Sequence, residues 1–107
     1  MSSYHHSVYV VELDSSVRDH RRFALENPDS PIDAQCVYVG LTGLDPTERF
    51  ARHKAGIQYS RIVKRYGVRL LPELYEHLNP MPYEAAVQME VDLADDLREA
   101  GYAVWQR

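Results

Sequence analysis

The rhythm of hydrophobic and polar positions along the chain separates strands from helices. Ser7-Val-Tyr-Val-Val-Glu-Leu13 is dense in β-branched and aromatic residues and predicts a strand. Asp33-Ala-Gln-Cys-Val-Tyr-Val-Gly40 predicts a second strand, ending at a glycine suited to a turn. The polar stretch between them, closed by Asn27-Pro-Asp-Ser-Pro31, is long for a hairpin loop and predicts a short helix around residues 15–25. Asp45-Pro-Thr-Glu48 has the capping aspartate, the first-turn proline and the third-position acid of a helix start. That helix is expected to run through Arg49, Phe50 and His53 and stop near Gly56. Ser60 can cap a second short helix, Arg61 to Tyr66, which Gly67 ends. Val68–Leu71 reads as an extended segment. Pro72, Pro80 and Pro82 then bracket an irregular stretch, with a helical turn over Glu73–Leu78. Tyr83 to Ala100 has Ala86, Val87, Leu93, Ala94 and Leu97 at helical spacing, Gly101 stops it, and Tyr102–Trp105 supplies a closing strand. The sum is one α+β domain over residues 1–107. Its expected core is a small antiparallel sheet of about three strands with helices packed on it.

Length and composition narrow the class. A chain of 107 residues has room for one compact domain, and 45% hydrophobic against 26% charged residues is ordinary globular composition that argues against disorder. No apolar run approaches the roughly 20 residues of a membrane span. Met1–His6 lacks the basic start and apolar stretch of a signal peptide. The single cysteine, Cys36, excludes an internal disulfide and a cysteine zinc site, so a reducing cytoplasm is expected.

Charge changes the picture more. A net charge of −4 argues against a nucleic-acid partner, but the average hides an asymmetry. Between Glu48 and Glu73 there is no acid, while Arg49, Arg52, Lys54, Arg61, Lys64, Arg65 and Arg69 fall there. From Glu73 to Glu99 eight acids stand against Arg98. A second basic knot, Arg18 and His20–Arg22, lies near the start. Such segregation allows one positive face on an acidic protein, and it equally describes a set of solvated helix faces.

Three groups of residues could carry chemistry. Glu90 falls on the apolar stripe of the last helix, and a carboxylate facing a core must be ion-paired, hydrogen-bonded or metal-bound. A structural pair with an arginine is the commoner outcome. Arg49 and His53 are four apart and share a helix face, offering a guanidinium fork for phosphate oxygens beside a proton-exchanging imidazole. Tyr9 and Tyr38, on adjacent strands, could put two phenols into one site. Cys36 reads as packing, His5 and His6 as frayed residues, and His20 and His77 have no partner at metal-ligand spacing.

In this order, Ser7-Val-Tyr9, Tyr38-Val-Gly40, Arg49 with His53, and then Glu90, the chain resembles the GIY-YIG nuclease family. Tyr9 matches the tyrosine of the first signature, and Tyr38-Val39-Gly40 matches the second with Val for Ile. The run from Tyr38 through Asp45-Pro-Thr-Glu48 to Gly56 looks like the family's most recognisable segment, and the likeness spans roughly residues 7–105. Ser7 stands where the first signature has glycine, and Gln106 is the residue available where many members carry a late asparagine. The resemblance implies metal-dependent hydrolysis of nucleic-acid phosphodiester bonds, of DNA ahead of RNA. Glu90 would hold Mg²⁺ or Mn²⁺, Arg49 would stabilise transition-state charge, and Tyr9, assisted by Tyr38 or His53, would position or deprotonate the water. Arg52, Lys54, Arg61, Lys64, Arg65 and Arg69 would hold the phosphate backbone. The alternative is a catalytically weak module on the same fold that binds nucleic acid or protein. The oligomeric state stays open.

Overall fold

Strands β1 (Ser7–Leu13) and β2 (Cys36–Thr42) pair antiparallel along their whole length, Ser7 opposite Thr42 and Leu13 opposite Cys36. β3 (Gly67–Leu70) joins antiparallel on the other side of β1, and β4 (Ala103–Gln106) joins parallel to β2, giving the order β3-β1-β2-β4. The computed structural model describes residues 4–107, so the reading of Met1–His6 falls in part outside the described residues.

The fold is α+β, but the sheet is four-stranded and mixed rather than a purely antiparallel one of three strands. The reason lies in α4 (Tyr83–Glu99). At about 1.5 Å per residue, a helix of this length carries the chain roughly 25 Å back along the sheet. The next strand therefore starts at the same end as β2 and runs parallel to it.

Gly40 does not end β2 at a turn but lies inside the strand. A Cβ there would come within 2.9 Å of Tyr38 Cε1 and of Tyr9 Cζ and Oη. The missing side chain is the space that two phenols occupy. Alternation puts Tyr9, Tyr38, Gly40 and Trp105 on one sheet face, because Tyr9 is opposite Gly40 and Tyr38 lies beside Trp105 in register. Val37, Val39, Val104 and Gln106 take the other.

The helices follow their caps. The expected helix near residues 15–25 is split by the extended backbone of His20 into a 3₁₀ turn (Ser15–Asp19), capped by Asp14, and α1 (Arg21–Glu26). α2 (Pro46–Ala55) begins where Asp45 accepts the Thr47 N–H and ends at Gly56, whose φ of 78° closes the helix left-handed. Glu48 pairs with Arg52 rather than completing a capping box. α3 (Arg61–Tyr66) is capped by Ser60, and Glu73–Leu78 falls within two 3₁₀ turns. On α4 the buried stripe is Ala86, Glu90, Leu93, Ala94 and Leu97, while Val87 is substantially exposed. α2 covers the phenol face through His53, and α4 covers the opposite face, where Glu90 meets Gln106. His6 is not frayed: its backbone bridges Met81 and its ring lies edge-on to Tyr83.

Two asparagines complete ladders where no strand continues. Asn79 accepts from the Val8 N–H at 2.9 Å and donates to the Val8 carbonyl at 2.7 Å, beyond the reach of β3. Asn27 does the same for Val104 on the outer edge of β4, at 2.8 and 3.0 Å. Val104 is fully buried, so its amide has no solvent to fall back on. Asn27→Ala is expected to cost about 1–3 kcal/mol in urea unfolding. Asn27→Asp, which keeps the acceptor, should cost less than the alanine variant; equal losses would show that the Val104 N–H contact contributes nothing.

Candidate active site

The sheet face beneath α2 holds three polar rings with almost no access to water. Tyr9, Tyr38 and His53 are each at most 2% exposed. Their ring centroids lie 6.0–6.1 Å apart, and the Tyr9 hydroxyl is 2.8 Å from His53 Nε2. The imidazole is oriented from behind, because the backbone N–H of Ser60 donates to Nδ1 at 2.9 Å. An Nδ1 that accepts leaves the proton of the neutral ring on Nε2, so His53 donates to the phenol oxygen of Tyr9.

Burial sets the protonation of this cluster. It drives the His53 pKa down to about 4, with the nearby Arg49 charge adding to the effect. It drives Tyr9 up well above the usual tyrosine range, with Tyr38 reinforcing the shift, and it raises Tyr38 too. The Tyr9 hydroxyl eases ionisation of Tyr38, whereas Tyr38 hinders that of Tyr9. Arg49 and Arg107 oppose the upward shift at both phenols. At neutral pH His53 is thus an uncharged donor that fixes Tyr9.

Arg49 stands one helical turn before His53, and its guanidinium donates to the Gln58 carbonyl at 2.7 Å. Gln58 has a φ of 46°, a left-handed conformation in the loop after Gly56. Glu90 is carried by α4, on the other side of the sheet from the rings. It is 4% exposed, accepts from Arg107 Nε at 2.9 Å and from Gln106 Nε2 at 3.3 Å, and its charge is felt by Tyr38. The carboxylate is therefore the buried member of an ion pair with Arg107. Sequence reasoning passed over Arg107. Extending the alternation of the last strand two residues past Trp105 puts it on the phenol side, and its N–H does bond the Val39 carbonyl.

Among the described residues no three His, Cys, Asp or Glu side chains gather as a metal cage. Glu90 offers the hard oxygen that Mg²⁺ prefers, and such an ion keeps most of its waters, so one carboxylate suffices. The fit requires Arg107 to leave Glu90, and its half-exposed side chain has solvent to turn into.

The acid-free segment does not form one uniform face. Arg52 pairs with Glu48, Arg69 pairs with Glu12 at 2.8 Å, and Lys54 donates to the Lys64 and Gly67 carbonyls, clamping α2 to the end of α3. Arg61, Lys64 and Arg65 line one open groove. Arg18 is held by the Pro31 and Ala34 carbonyls, where it ties down the loop before β2. Cys36 is buried beside that loop, in keeping with a packing role.

No family model matches the chain, and no curated protein or solved structure matches it.

A histidine buried in its neutral form gains its proton on unfolding. Between pH 6.5 and about 4 the unfolded chain therefore binds more protons than the native one. Stability is full above that window and falls as pH drops through it, by at most about 1.4 kcal/mol per pH unit. Urea titrations from pH 7.5 to 4.5 should show this slope in the native chain and a shallower one in His53→Gln. Parallel profiles for the two proteins would mean that His53 titrates as it does in water.

Proposed function

We propose that this chain is a small divalent-metal-dependent nuclease domain with a GIY-YIG-like arrangement, hydrolysing phosphodiester bonds of DNA ahead of RNA. One observation carries the reading: Tyr9 of β1, Tyr38 of β2 and His53 of α2, distant in sequence, form one buried ring cluster, with Arg49 one helical turn from His53 and Glu90 of α4 buried against Gln106 and Arg107. Hydrolysis needs an oriented water, a neutralised phosphate and a stabilised leaving oxygen.

Each need has a residue suited to it. Glu90, once Arg107 turns away, would hold Mg²⁺ or Mn²⁺, and a bound ion of this kind supplies charge stabilisation at the phosphate and the leaving oxygen. Arg49, one helical turn before His53 and held by the Gln58 carbonyl, offers a guanidinium to the negative charge that grows in the transition state. The phenols would orient the attacking water once substrate binding opens a path to their hydroxyls, since both rings are buried. Tyr9 stays a neutral hydroxyl whose oxygen receives the His53 N–H, because burial raises its pKa, so its role is to position the water and not, as the resemblance also allowed, to deprotonate it. His53 acts as a positioning residue.

The test is cleavage of supercoiled plasmid, single-stranded DNA and RNA with Mg²⁺ or Mn²⁺ and then with chelator. Cleavage should need the metal and be lost in Glu90→Ala while binding remains. Tyr9→Phe should lower the rate by about 10²-fold, the cost of a misplaced water. Cleavage that persists in Glu90→Ala would overturn the assignment.

The Glu90–Arg107 pair favours a second reading, a binding module in which that ion pair is permanent and turnover is weak. Binding of nucleic acid with no metal-dependent cutting, in both the native chain and Arg107→Gln, would select it.

A further inference from the structure

Two basic runs some forty residues apart in sequence meet across one groove of about 800 Å³, between α1, α3 and β4. His20 and Arg22 stand on one wall, and Arg61, Lys64 and Arg65 on the other. No acid lines it. Three aromatic rings do, and each has a cation above it: Arg22 lies 4.6 Å from the Trp105 ring, Lys64 5.1 Å from Tyr59, and Arg65 5.1 Å from Tyr66. His20 packs edge-on against the same tryptophan, and its buried Nδ1 has no hydrogen-bond partner within the protein. Glu26 pairs with Arg22 at 3.4 Å and partly offsets one of these charges.

We propose that this groove is a binding site for an unpaired nucleotide, so that the protein takes single-stranded rather than duplex nucleic acid. Cations alone would suit any polyanion, and an acidic peptide would leave the aromatic rings idle. Rings interleaved with guanidinium and ammonium groups suit a ligand that has both a flat π-face and a phosphate beside it. A base in a duplex has its faces covered by its neighbours and cannot enter; an unpaired base can stack on Trp105 or on the Arg22 fork above it. Arg61, Lys64 and Arg65 then meet the flanking phosphates.

The groove adjoins the phenol cluster. Trp105 lies beside Tyr38 in register on the same sheet face, and Ser60, which lines the groove, is the residue whose N–H orients His53. A strand leaving the groove passes toward Tyr38 and Arg49. The binding claim stands on the groove alone; that this strand is the substrate rests on the nuclease reading above.

Trp105 is the sole tryptophan of the chain, so its fluorescence reports on the groove directly. In chelator, where metal-dependent cutting cannot interfere, the protein is titrated with a twelve-nucleotide oligo-dT, the matching oligo-U, a blunt twelve-base-pair duplex and poly-glutamate. The expected result is tryptophan quenching by the single strands, at least about tenfold tighter binding of them than of the duplex, and no competition by poly-glutamate. Binding of either sugar supports the proposal.

Trp105→Ala should weaken single-strand binding about tenfold or more. Trp105→Phe, which keeps a ring, should retain most of the preference. Arg61→Gln with Lys64→Gln should flatten the dependence of log K on log salt by about 1.4. Duplex bound as tightly as single strand, titration without quenching, or equal competition by poly-glutamate overturns it. Quenching and single-strand preference in a protein that cuts nothing would refute the nuclease reading and leave the groove assignment intact. Metal-dependent cutting without quenching or strand preference would do the reverse.

Discussion

The contact between the imidazole of His53 and the phenol of Tyr9 is the constraint around which the phenol face is organised. A sheet face carrying two tyrosines would ordinarily leave polar atoms stranded when a helix covers it, and α2 answers by presenting a nitrogen at the matching position. Everything needed to hold that nitrogen is local. Asp45 and Gly56 fix the start and stop of the helix, and Ser60 fixes the tautomer. Gly40 leaves room for both rings on the strand below. The left-handed turns at Gly56 and Gln58 bring the chain back so that the Ser60 amide can reach the ring.

The second polar element, Glu90, is solved differently. On α4 it sits between the buried Ala86 and Ala94, and it is met by Gln106 of the strand that follows and by Arg107 just past it. A buried carboxylate in such company is costly to strip of its partner and gains little over an apolar residue if it does nothing else. Its charge raises the Tyr38 pKa, and the half-exposed guanidinium is the movable member of the pair.

Much of this was legible in the amino-acid sequence, and the misses share a cause. β1 was readable end to end, and α2 and α3 to within a residue, because caps, glycines and β-branched runs act over a few neighbouring positions. Glu90 stood out because helical spacing placed it among apolar residues. What could not be read depends on partners distant in sequence. The parallel direction of β4 comes from where α4 delivers the chain, not from the strand's own residues. Gly40 looked like a turn because its reason for being glycine is a pair of rings across the strand. Lys54, Arg52 and Arg69 looked like a phosphate-facing series because charge in a sequence carries no record of whether a carboxylate or a carbonyl waits nearby. The same blindness hid the meeting of His20 and Arg22 with α3.

Asn27 shows how far one side chain can stand in for an absent strand. With its amide engaging both backbone groups of Val104, and Arg98 adding a contact to the same carbonyl, the outer margin of β4 offers little template for another chain to lie against. A small sheet with an uncovered margin is prone to grow into fibrils, and this one meets that hazard with an amide rather than with an extra strand or a proline.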